Sequence, residues 1–286
     1  MSPSEALGRL AVDLYESDSV EFGLSLARLL PKLGAHLEQA GRISDVRDVT
    51  ARDVQAWVDA ALVGGNRPSL ATRHSRRAAA RLGFRLLREA GIVDHDPTVD
   101  IRLPPRSRGR EARPLTDDEI RRGRAASAER LAETRGPVVW ALAEATATTQ
   151  EIPRVLPEHV DLAAGTVLLR GSSRVEARRA PLTDWGVQSL ERRLKAITTP
   201  DRALAYDGAS LSPATLQSSA AKALVKTLTR AGLRSDPRVK PGSVRAWAGR
   251  SVFLTTGRIE RVAWALGCQT LDTAAVIIDF DWRDHQ

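Results

Sequence analysis

Residues 241–280 read PGSVRAWAGRSVFLTTGRIERVAWALGCQTLDTAAVIIDF. Gly257 and Gly267 punctuate this stretch, because glycine ends helices without steric cost. The helical pattern runs from Gly242 to about Gly257 and is followed by RIERVAWALG.

Upstream, residues 160–182 read VDLAAGTVLLRGSSRVEARRAPL, short β-favouring runs separated by Gly, Ser and Ala-Gly turn signals. This predicts a small antiparallel sheet. Before it, GPVVWALAEATATT (136–149) reads as a buried helix, and Thr116 and Glu119 have the spacing of a capping box that opens a domain at 114. Residues 94–113, DHDPTVDIRLPPRSRGREAR, lack helical periodicity and carry paired prolines. We read 101–113 as a basic linker, with Arg106, Arg108 and Arg110 suited to lie along a phosphate backbone.

Residues 1–100 read as an all-helical domain. Leu26, Leu29, Leu30, Leu33 and Leu37 recur at helical spacing. Thr50 and Asp53 mark a helix start, followed by an expected buried face of Val54, Trp57, Val58 and Leu62. In SLATRHSRRAAARLGFRLLREAG (69–91), Arg73, Arg77, Arg81 and Arg85 fall four apart and form a basic stripe, with Ala78, Leu82 and Leu86 along another side.

The 286 residues carry 43 Lys and Arg against 35 Asp and Glu, a formal charge of +8 that favours polyanionic partners. A single cysteine, Cys268, excludes an intramolecular disulfide, and no Cys/His spacing predicts a metal site. No cofactor is expected. No apolar run has the length of a membrane span, and the N-terminal residues lack the pattern of a secretory signal, so a cytoplasmic, nucleoid-associated protein is expected.

In this order the pieces resemble the tyrosine recombinase (phage integrase) family over nearly the whole chain. RPLTDDEI resembles the family's opening of its second domain, Arg179-Ala180-Pro181-Leu182 its hairpin end, and 241–280 its C-terminal rhythm. The resemblance implies a mainly α fold with a small antiparallel β-sheet. It would comprise an N-terminal helical core-binding (SAM-like) domain and a recombinase-like domain over 114–286.

That family's chemistry uses a tyrosine nucleophile, two arginines on the phosphate, and Lys and His for proton transfer. By the resemblance, the first arginine falls at Thr148, the lysine at Ser172 or Ser173, the histidine of the His-x-x-Arg pair at Gly242, the later His or Trp at Cys268, and the nucleophile at about Ile277. Only Arg245 keeps its expected identity. The chain has two tyrosines, Tyr15 and Tyr206, and neither lies in its last eighty residues.

The resemblance therefore implies a double-stranded DNA-binding protein that has lost strand cleavage, a regulator or architectural factor. It leaves room for a homodimer on DNA. Expected phosphate contacts are Arg73, Arg77 and Arg81, then Arg106, Arg108 and Arg110, then Arg174, Arg178, Arg179, Arg245 and Arg250. Adjacent strand residues point to opposite faces, so one at most of Arg178 and Arg179 can face a groove. The alternatives are an active recombinase with a rearranged site and a protein-interaction scaffold.

Overall fold

The computed structural model describes residues 1–16, 26–62, 64–104, 112–130, 132–197, 202–209 and 211–280. They fall into two compact units, Met1–Gly109 and Arg110–Gln286. The architecture is mainly helical with one small antiparallel sheet, as the sequence led us to expect.

The first unit contains α1 (Pro3–Glu16), α2 (Leu30–Gln39), α3 (Ala51–Asp59) and α4 (Leu70–Glu89). Its core gathers Leu7, Leu30, Leu33, Leu37, Val54, Trp57, Val58, Phe84 and Leu87. Gly34 permits the close approach of α1 and α2, since a Cβ there would sit 2.7 Å from the Ser4 Cα. The Thr50 amide donates to Asp53 at 2.9 Å, which fixes the start of α3.

One apolar assignment needs correction. Leu62 is 40% exposed, because α3 stops at Asp59 and the chain turns extended at Ala60, so the helical period no longer carries the apolar face forward. On α4 Ala78 and Leu82, from the expected apolar side, pack against the core as half-buried residues, while His74, Ala79, Ala80, Phe84 and Leu87 are buried. Small residues let α4 approach its neighbours, and Gly83 lies against Leu7 and Leu30.

The second unit begins with α5 (Asp117–Ser127), opened by the expected capping box: Glu119 N donates to Thr116 Oγ1 and Thr116 N to Glu119 Oε2. Then comes α6 (Arg135–Glu144), in which Pro137 to Glu144 are all buried. Trp140 is fully buried, and burying such a side chain contributes roughly 1.5–3 kcal/mol. Its ring fills the space beside Gly123, where a Cβ would lie 2.0 Å from the indole.

Strands β1 (Val160–Asp161), β2 (Thr166–Leu169) and β3 (Arg178–Pro181) pair antiparallel in sequence order, with Leu168 opposite Arg179 and Leu169 opposite Arg178. The chain continues through α7 (Asp184–Ala196), α8 (Pro213–Arg230), α9 (Gly242–Thr256), α10 (Ile259–Leu266) and α11 (Leu271–Ile277). Gly257 and Gly267 end α9 and α10 in the left-handed conformation, at φ 66° and 67°, as their positions implied. Val262, Leu266, Ala274 and Ile278 form a small separate core under α9. Among the described residues, no helix is long and apolar enough to cross a membrane.

Candidate nucleic-acid interface and its buried centre

The turn after α6 brings Thr146 to φ 69°, a left-handed conformation that a β-branched residue rarely adopts. Two guanidinium groups hold it there. Arg178 Nη2 donates to the Thr146 carbonyl at 2.7 Å and Arg245 Nε donates to the same oxygen at 2.9 Å. The Thr146 hydroxyl donates to the Ala265 carbonyl at 2.8 Å and accepts from Arg178 Nε at 3.2 Å.

Arg178 is also paired with Glu151, Nη1 to Oε1 at 2.8 Å and Nη2 to Oε2 at 3.2 Å, with side chains 8% and 2% exposed. Glu151 is itself fixed, because Oε2 accepts from Thr148 N at 2.9 Å while Thr148 Oγ1 accepts from Glu151 N. Further bonds from Arg178 to the Ala265 and Glu176 carbonyls engage the rest of its donors. Arg178 is thus consumed within the protein, which removes it from our expected phosphate contacts: β3 turns it inward and Arg179 outward.

Arg245, on α9, differs. Its Nη2 donates to the Leu266 carbonyl, and its guanidinium also bonds the Cys268 side chain. Burial pulls its pKa below the ordinary guanidinium value, a shift that Cys268 opposes and Arg178 reinforces. The Cys268 thiol is pushed up by burial, against the pull of Arg245. With Glu151 offsetting one arginine, the centre retains a positive charge and no strong nucleophile.

No family model matches this sequence. No curated protein matches it either. Solved structures do. A lambda integrase dimer bound to a COC' core site is 15% identical over 99% of this chain and 79% of that one, with a TM-score of 0.69. The Tn1549 transposon integrase in complex with a circular intermediate DNA gives 12%, 97%, 94% and 0.65. XerH site-specific recombinase bound to a palindromic difH substrate gives 16%, 92%, 77% and 0.67. The fold is that of the tyrosine recombinases.

Within the tyrosine-recombinase fold, the positions singled out by sequence are unevenly distributed. Thr148 sits on the Glu151 turn, and Cys268 lies beside Arg245. Ser172 belongs to the β2–β3 turn, where Val175 bridges both to it and to Cys268. Gly242 is exposed at the first turn of α9, and Ile277 packs against the small core at the end of α11. Tyr206 is buried between α7 and α8, and Tyr15 lies on α1 in the other unit.

Among the expected contacts, Arg81, Arg174, Arg179 and Arg250 are exposed. Arg73 is paired with Asp59 at 2.5 Å, and Arg77 donates to the Ile101 carbonyl at 3.2 Å, so both are partly committed to the first unit. Arg106, Arg108 and Arg110 lie outside the described residues.

The sequence reading passed over three residues. Thr148 and Glu151 have capping-box spacing that would have flagged Glu151. Thr146 carries no such signal. Arg76, inside the basic stripe, instead donates to the carbonyls of Trp57, Val58 and Ala60 and so closes the end of α3.

Proposed function

We propose that this chain is a DNA-binding protein of the tyrosine-recombinase fold without strand-cleavage activity, acting as a sequence-specific regulator or architectural factor on duplex DNA. The observation that carries the reading is the composition of the centre: Arg245 and its positive charge are kept, while the nucleophile position falls on Ile277 and the first-arginine position on Thr148. A phosphate held there meets charge but no group to attack it.

On this reading, residues 1–100 are the core-binding-like domain, 101–113 the linker and 114–286 the degenerate recombinase-like domain. Arg81, Arg174, Arg179, Arg245 and Arg250 supply phosphate contacts from both, with the linker arginines between them. The DNA-bound neighbours support duplex DNA as the partner and a nucleoid location, and the DNA-bound lambda integrase dimer supports a pair of copies on one site.

Purified protein incubated with supercoiled plasmid tests the loss of cleavage. We expect neither relaxation nor a covalent protein–DNA adduct; either product overturns it. Genome-wide footprinting tests the binding role, with a discrete enriched site expected. Binding that only follows background, or binding indifferent to salt, refutes it.

A further inference from the structure

A second basic feature shares no residue with the Arg178–Arg245 centre. It is a cleft of about 280 Å³ between the end of α5, the start of α6 and the flank of α8. Lys222, Lys226 and Arg230 line it from α8, four residues apart and therefore on one side of that helix. Like charges at this spacing repel, so the arrangement favours an anion between them.

Arg135 enters from the start of α6 and is held by neutral partners: Nε donates to the Ala205 carbonyl at 2.8 Å and Nη2 to Ser219 Oγ at 2.6 Å. Its orientation is fixed while its charge is left uncompensated. Among the described residues, Lys222 and Lys226 have no carboxylate within ion-pair distance, and Arg230 meets Glu129 and Glu133 only at 3.6 and 3.9 Å. Four cations thus face two carboxylates, and one of these, Glu133, lines the cleft.

We infer that this cleft binds a phosphate dianion, either inorganic phosphate or the terminal phosphate of a mononucleotide. The excess positive charge matches a dianion, and Arg135, held in place through Nε and Nη2, adds a fixed guanidinium charge to the cleft wall. The volume lies just under the usual small-molecule range, so a phosphate or a small nucleotide fits where a duplex cannot enter. The site is independent of duplex binding.

The full chain is titrated calorimetrically with inorganic phosphate, AMP and adenosine at constant ionic strength. Saturable one-to-one binding of phosphate or AMP, and none of adenosine, is expected. Tighter AMP binding identifies a nucleotide; equal affinity identifies free phosphate. The double variant Lys222→Ala, Lys226→Ala should weaken binding at least tenfold with an unchanged circular dichroism spectrum, while Lys32→Ala leaves it intact. The inference fails if no saturable binding occurs, if the double variant binds as the wild type does, or if a short duplex displaces phosphate one for one.

Discussion

Arg178 and Glu151 form a two-point ion pair inside the second unit, and each also holds backbone on its own side, Arg178 the carbonyl of Thr146 and Glu151 the amide of Thr148. The pair therefore shapes the turn that follows α6. Removing one member leaves the other charged and buried, which costs about 3–5 kcal/mol, whereas replacing both with apolar residues of similar size is much milder. Urea unfolding should show Glu151→Ala and Arg178→Ala strongly destabilised, and Arg178→Met combined with Glu151→Leu substantially recovered. Single variants as stable as the wild type would show that the pair is not shut away from water.

Arg179 neighbours Arg178 in sequence and serves a different purpose. It is exposed on the opposite face of β3, so Arg179→Ala should leave unfolding within about 0.5 kcal/mol of wild type, as surface substitutions usually do. If it contacts a phosphate, the same variant lowers the slope of log affinity against log salt by about 0.9. Arg250→Ala should behave likewise. A slope unchanged in both variants places the DNA on another surface.

The contrast between these neighbours shows what the sequence carried. Strand alternation required one of them to turn inward, but only the partner waiting there, Glu151, decides which, and that partner lies 27 residues away in sequence. Local signals fared better. The Thr116–Glu119 box, the β2–β3 pairing and the glycines ending α9 and α10 are set by neighbouring residues and were legible. Leu62 was misread because the helical period was carried past Asp59, where α3 ends.

Arg113 ties the start of α5 to the turn before α9. It donates to both Glu119 oxygens, at 2.8 and 2.7 Å, and to Asp236 at 2.7 Å. Its hydrogen bonds hold the Glu119 carboxyl below its ordinary pKa against opposing burial, and hold Asp236 below its own. A carboxylate depressed in the folded state contributes stability above its unfolded pKa and loses it as pH falls through the folded value. The contribution should be complete above about pH 5 and decline progressively on acidification below about pH 4. Unfolding of Glu119→Gln and Asp236→Asn, followed from pH 7 to pH 3, should start lower at neutral pH and converge toward wild type in acid. A constant difference across that range would refute the assignment.

Thr146 offers the sharpest test of the buried centre, because two opposing effects act at one residue. Its left-handed backbone stores strain of roughly 1–3 kcal/mol, while its hydroxyl bonds Ala265 and Arg178. Thr146→Gly releases the strain and gives up hydrogen bonds worth about 0.5–1.5 kcal/mol each, so the two changes nearly cancel. Thr146→Val keeps the branched side chain in the strained conformation and loses the same bonds, leaving the Ala265 carbonyl and the Arg178 Nε with one partner fewer. Valine should therefore destabilise by about 2 kcal/mol while glycine stays near wild type. The order is the informative quantity, since a simple loss of side-chain packing would make glycine the worse of the two. If valine proves the more stable variant, the left-handed backbone at Thr146 stores no appreciable strain.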